Sequence, residues 1–85
     1  MFDKIKQLNK LKELENSLGK ELVKKEIKEV KVVVNGKAEI VSIELNPELS
    51  KEEQEQVLKE CINKALEEAK IIMAKRAAEI SGFNF

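Results

Sequence analysis

Residues 30 to 47, V-K-V-V-V-N-G-K-A-E-I-V-S-I-E-L-N-P, constrain this chain more than any other stretch, because two runs rich in β-branched residues meet there at Asn35-Gly36. Val30, Val32 and Val34 alternate onto one face, and Val41, Ile43 and Leu45 do the same beyond the turn, the period-two pattern of half-buried strands. Asn-Gly between such runs marks a hairpin. A two-residue loop would set Val32 against Glu39, so the pattern favours a four-residue loop over 35 to 38, which pairs Val32 with Val41 and Val30 with Ile43. The opposite face carries Val33, Ile40 and Ser42, more apolar than a solvated face requires, so a cover is expected there.

Segments of helical periodicity flank the hairpin. In the first, Leu8, Leu11, Leu14, Leu18 and Leu22 form a stripe roughly 120° wide, and Gly19 predicts a helix end close by. The stripe lasts only about two heptads, which favours docking on its own domain over a free-standing zipper. Residues 20 to 29 fit neither template well, leaving a third strand and an extension of the first helix both open. Asn46-Pro47 ends the hairpin, and Ser50-Lys51-Glu52-Glu53 matches a capping box at the start of a long second helix. Leu58, Cys61, Ile62, Ala65, Leu66, Ala69, Ile72, Met73 and Ile80 form its core stripe, and Gly82 supplies a stop. The predicted class is α+β: an N-terminal helix, a small antiparallel sheet with two clear strands, and a long C-terminal helix in one domain over 1–85. Late in the second helix Ile71, Ala74 and Ala78 add a second apolar side, which implies a second partner and makes these residues a candidate dimer interface.

Charge and composition exclude several functions. The 16 basic and 16 acidic residues cancel, so electrostatic binding must come from local segregation. Lys4, Lys6, Lys10 and Lys12 face only Asp3 within the first twelve residues, whereas residues 48 to 68 hold seven Glu against Lys51, Lys59 and Lys64. The chain has no His, and its single cysteine, Cys61, falls on the apolar stripe with no base beside it; no catalytic group, metal site or cofactor is expected. No apolar run is long enough to cross a bilayer, so a cytoplasmic protein without membrane contact is expected.

Taken together, the M-F-x-K start, the leucine-striped helix, V-K-V-V-V-N-G-K, I-V-S-I-E-L-N-P and a final helix containing C-I-N-K-A-L resemble the bacterial YbaB/EbfC family over nearly the whole chain. The family pattern maps onto Val30 to Gly36, Val41 to Pro47 and Cys61 to Ala65. The resemblance implies a small homodimeric protein of the nucleoid that binds double-stranded DNA, with an α-β-β-β-α subunit and helices projecting like the arms of tweezers. Three departures stand out. The glycine-rich turn usual between the first two strands is missing, Asn46 replaces the usual Asp, and the Pro-Gly-rich tail is reduced to S-G-F-N-F.

Lys4, Lys6, Lys10 and Lys12 on the first helix, with Lys70, Lys75 and Arg76 on the last, are the most basic stretches of the two segments the resemblance makes into arms. They are the candidate DNA-binding residues. Without a constellation of Arg, Asn and Gln to read base edges, the expected contacts are to phosphate, with low sequence specificity. The alternative is a protein-interaction or assembly module that binds through exposed apolar helix faces without DNA. A small-molecule substrate is expected in neither case.

Overall fold

The structure, a computed structural model, describes residues 2–81, with side-chain surroundings described for 8–79. Five elements follow in chain order: α1 (Phe2–Lys20), β1 (Leu22–Ile27), β2 (Val30–Asn35), β3 (Ile40–Glu44) and α2 (Lys51–Ser81). The strands form one antiparallel sheet in the order β1-β2-β3, and α2 lies across one face of it. The α+β class and its order are therefore as expected, and the undecided stretch 20 to 29 is largely a strand.

The core is where α2 crosses the sheet. Val57, Cys61, Ala65 and Ala69 recur every fourth residue, so they form one row along the helix and meet the buried face of Val23, Val30, Val32 and Val34. Small side chains in that row let the helix approach the valines closely, and Leu58, Ile62, Leu66 and Ile72 close the flanks. Cys61 is fully buried, and its thiol donates to the Val30 carbonyl at 3.5 Å. Burial pushes the thiol pKa up, which keeps it neutral and unreactive. Val57, outside the predicted stripe, belongs to the row, while the Ile80 side chain lies outside the described residues.

Two turns explain what the strand pattern left undecided. The β1–β2 turn consists of Lys28 and Glu29 alone, both at positive φ (50° and 66°), the geometry of a type I′ turn built without glycine or asparagine. Its surroundings hold it in place. Asn46 donates through its side-chain amide to the Lys28 carbonyl at 2.9 Å, a bond that an aspartate in its place could not donate, and Lys28 pairs with Glu53 at 3.5 Å. Asn46 also receives the Glu48 amide on Oδ1, and its own amide donates to Gln54.

The β2–β3 connection corrects the expected register. Val32 pairs with Ile43, Val33 with Ser42 and Val34 with Ile40, leaving Val41 as the extra residue of a bulge. The Asn35 amide donates to the Glu39 carbonyl and the Ala38 amide to the Asn35 carbonyl, while Ala38 takes the left-handed conformation at φ 62°. This is a tight turn followed by a left-handed residue, and its insertion shifts β3 so that Ile40 and Ile43, rather than Val41 and Ile43, share the face of Val34 and Val32. Gly36 has no left-handed φ. It is required by proximity, because a Cβ there would lie 2.8 Å from the Leu18 carbonyl oxygen that accepts the Gly36 N–H.

Ser50 caps α2 as expected, accepting the Glu53 amide on Oγ at 3.2 Å. The leucine stripe of α1 behaves differently from the expectation of a stripe docked along its length. Leu18 is buried at 4 % exposure, but Leu8 and Leu11 stand 58 % and 56 % exposed, and Leu22 has left the helix for an exposed position in β1. Among the described residues of α1, Leu18 is the one that is buried, where it meets the hairpin turn, and Leu14 is half-buried; the sheet ends there and offers Leu8 and Leu11 no surface. The molecule is accordingly long, 58 × 23 × 15 Å.

Candidate nucleic-acid interface

The 31 residues of α2 span about 46 Å at 1.5 Å per residue, more than the sheet can cover. Beyond Ala69 no further described residue of the helix is fully buried, Ile72 still flanks the core, and α2 also contacts α1. Two helices thus form an arm at one end of the molecule, joined at its base by Glu21, the single residue between α1 and β1. The Glu21 amide donates to the Leu18 carbonyl at 3.2 Å, its carbonyl accepts the Gly36 amide at 3.1 Å, and its carboxylate receives Nη2 of Arg76.

The candidate cations are distributed unevenly over this arm. Lys10 and Lys12 on α1, and Lys70 and Lys75 on α2, are all exposed, and none of them forms an ion pair with the described residues. Lys4 and Lys6 belong to α1, but their side chains lie outside the described residues. Lys20, which the sequence reading passed over, is exposed in the last turn of α1 beside the arm's base; its only signal was membership of the same lysine-rich helix. Arg76 differs from all of these. Its guanidinium bridges Glu21 and Glu79, the latter at 3.1 Å, and the hydrogen bond it donates to Glu21, then the charges of both carboxylates, hold its pKa above the ordinary arginine range.

Lysines elsewhere are mostly matched by acids. Lys25 meets Glu68 at 2.6 Å, Lys31 sits between Glu44 and Glu26, Lys37 reaches Glu39 and Lys64 reaches Glu60. Lys51 and Lys59 make no such pair, but they stand among Glu52, Glu53, Glu55 and Glu60. Lys24 on β1 is likewise exposed without an ion pair among the described residues, so the sheet end is largely rather than wholly neutralised, and most of the unmatched lysines sit on the arm.

The proposed interface residues fall on the same side of α2 as two of the cations. Ile71 and Ala74 are exposed and Ala78 is half-buried; at roughly 100° per residue, Lys70 and Lys75 flank this strip on either side. Arg76 and Ile72 point the other way, toward the α1–β1 corner. A larger apolar surface, only partly expected from the sequence, lies along β3, all five of whose residues are exposed, Ile40, Val41 and Ile43 among them, with Leu45 continuing it. β3 is an edge strand of the sheet.

Among the described residues no group of His, Cys, Asp or Glu is arranged to hold a metal ion, and no helix is long and apolar enough to cross a membrane. What remains is a protein with an unmatched basic arm and an exposed apolar strand edge. Residues 1–83 match the YbaB/EbfC DNA-binding family. The chain belongs to that family. Among curated relatives, a nucleoid-associated protein of Thermoanaerobacter pseudethanolicus is 32 % identical over 88 aligned positions, covering 92 % of this chain and 79 % of the relative. A nucleoid-associated protein of Caldanaerobacter subterraneus subsp. tengcongensis matches at the same identity and coverage. One from Caldicellulosiruptor saccharolyticus is 35 % identical over 60 positions, covering 66 % of this chain and 53 % of the relative. No solved structure matches the chain. The family is one of DNA-binding proteins, and nothing among the described residues of the site points to catalysis.

Proposed function

We propose that this YbaB/EbfC protein is a nucleoid-associated homodimer that grips the phosphate backbone of double-stranded DNA with low sequence specificity. The observation that carries the reading is the division of charge: lysines of the sheet end are largely matched by glutamates, and those of the arm are left unmatched. An exposed lysine on a helix is a point charge suited to phosphate, which positions a duplex without reading base edges. The exposed apolar strip of β3, with Ile71, Ala74 and Ala78 on α2, supports burial against a second copy, which would double each basic cluster.

Titrating a fluorescent duplex of arbitrary sequence with the protein at several salt concentrations tests this. Lys4, Lys6, Lys10, Lys12, Lys70 and Lys75 on two subunits supply twelve cations; if about half meet phosphate, log affinity should fall against log salt with a slope on the order of −5. Replacing Lys10 and Lys12 with Glu should weaken binding to unrelated duplexes alike and flatten that slope. Absent or salt-insensitive binding would instead favour a protein-interaction module, which the exposure of Leu8 and Leu11 would serve. Sedimentation of the free protein decides the dimer separately, and a monomer at micromolar concentration would refute it.

A further inference from the structure

Among the described cations on the arm's two helices, Arg76 is the one whose charge is already spent inside the molecule. It carries one positive charge between two carboxylates, Glu21 and Glu79, so a phosphate approaching it meets a locally negative group. Its guanidinium turns toward the corner where α1 ends and β1 begins, in a shallow depression lined by Glu21, Ile72, Arg76 and Glu79 with Lys75 at its rim, while Lys70 lies roughly 120° away around the helix. Glu21, its partner, is fixed on every side available to it: its amide to Leu18, its carbonyl to Gly36, its carboxylate to Arg76. Three parts of the chain, α1, the β2–β3 turn and the outer half of α2, therefore converge on this one residue. Arginine suits such a junction because its planar fork presents separate N–H groups to two acceptors, which a lysine ammonium does less well.

We propose that Arg76 is a positioning residue that, through Glu21, fixes the angle between α1 and α2 and so sets the spacing of the lysines that meet DNA, without touching phosphate itself. The inference rests on the DNA reading above. A half-exposed ion pair contributes little to overall stability. Its loss is therefore felt in the orientation of the arm rather than in unfolding, and α1, whose described side chains Leu8 and Leu11 stand exposed while Leu18 is buried at the corner, is the element whose angle would change.

The test compares Arg76→Gln, Arg76→Lys, Glu21→Gln and the charge-exchanged pair Glu21→Arg with Arg76→Glu, all in the full chain. Three quantities are read: duplex affinity across salt concentrations, amide hydrogen exchange in α1, and the thermal midpoint. Arg76→Gln and Glu21→Gln should each weaken duplex binding several-fold and speed exchange in α1, with the thermal midpoint nearly unchanged and the salt slope preserved. The effect of Glu21→Gln is telling, because removing a negative charge should strengthen DNA binding if only charge mattered. Arg76→Lys should recover part of the loss and the exchanged pair most of it. If Arg76 met phosphate directly, Arg76→Gln in a dimer would reduce the magnitude of the slope by about 1.8 and leave α1 exchange alone, overturning the proposal. Wild-type protein that leaves the duplex free overturns the DNA reading; wild-type binding together with an Arg76→Gln variant unchanged in affinity and α1 exchange overturns only the role of Arg76.

Discussion

Between Val57 and Ala69, helix α2 buries one side chain in every four against the sheet, whereas from Lys70 onward the same helix presents Lys70, Ile71, Ala74 and Lys75 to solvent and turns Ile72 and Arg76 toward the edge of the core and the α1–β1 corner. The two halves have similar helix propensity but different neighbours. The first half is held by close packing, so its residues answer to volume; the second is held at a corner, so its residues answer to charge and orientation. That difference lets one helix be part of a stable core and part of a binding arm. It also predicts that the same substitution will have opposite consequences on the two sides of Lys70.

Paired substitutions break the comparison most directly. Ala69→Glu places a carboxylate where the native side chain has no exposure, and should cost upward of about 4 kcal/mol. A domain of this length has roughly 4–13 kcal/mol in total, so loss of the cooperative transition is expected. Ala74→Glu, barely more than a turn further on, should change the intrinsic stability of the subunit by no more than about 0.5 kcal/mol and act instead on self-association, as sedimentation would show. Equal unfolding by both substitutions would erase the distinction between the halves.

Gly36→Ala tests the corner at which the arm begins. Its new methyl would sit 2.8 Å from the Leu18 carbonyl oxygen and 3.2 Å from the Leu18 Cα, both backbone atoms, so α1 must move away from the hairpin turn. The expected cost is about 1–3 kcal/mol by denaturant unfolding, with faster hydrogen exchange at the end of α1 than in the sheet.

Cys61 sharpens the same picture from the packed side. Cys61→Ala should cost about 1–2 kcal/mol, and native protein should resist thiol reagents. Burial raises the folded-state pKa above the ordinary 9.0, so the stability that favours the neutral thiol is complete below about that pH and declines as pH climbs from there through the folded-state value. Unfolding midpoints at neutral and alkaline pH should therefore fall less in Cys61→Ala than in the native protein.

How much of this was legible in the sequence follows from which signals are local. Strands β2 and β3 announced themselves because valine and isoleucine alternate, and the Ser50 cap because its spacing is short-range. Strand β1 was hidden: Lys24, Lys25 and Glu26 dilute the alternation, and the turn after it forces Lys28 and Glu29 into conformations normally reserved for glycine or asparagine. The hairpin register went astray because the alternation of Val41, Ile43 and Leu45 reads as uninterrupted, whereas left-handed Ala38 and the bulge at Val41 shift β3 against β2. The same limit applied to the arm. Lysine runs on both helices were visible, but that Arg76 is occupied by Glu21, 55 positions earlier in the chain, depends on a contact no spacing rule encodes.

The smallest predicted effect belongs to the β1–β2 turn, farthest in kind from the arm. Glu29 holds φ 66°, where a side chain costs roughly 1–2 kcal/mol by crowding Cβ against the following carbonyl. Glycine there removes that cost but widens the unfolded ensemble by about 0.4–1 kcal/mol. Glu29→Gly should therefore stabilise the protein by a net on the order of 0.5 kcal/mol. The gain should reach the sheet-packed half of α2, which the turn supports through Lys28 and Glu53, and leave duplex affinity and its salt slope as they were. Lys28→Gly makes the control: it relieves similar backbone strain at φ 50° but also removes the pair with Glu53. Its gain should be no larger than that of Glu29→Gly, since a pair at this exposure is worth about 0–1 kcal/mol. If either glycine altered DNA affinity at constant dimerisation, the two halves of α2 would be coupled through the sheet, and the separation drawn between packed core and charged arm would fail.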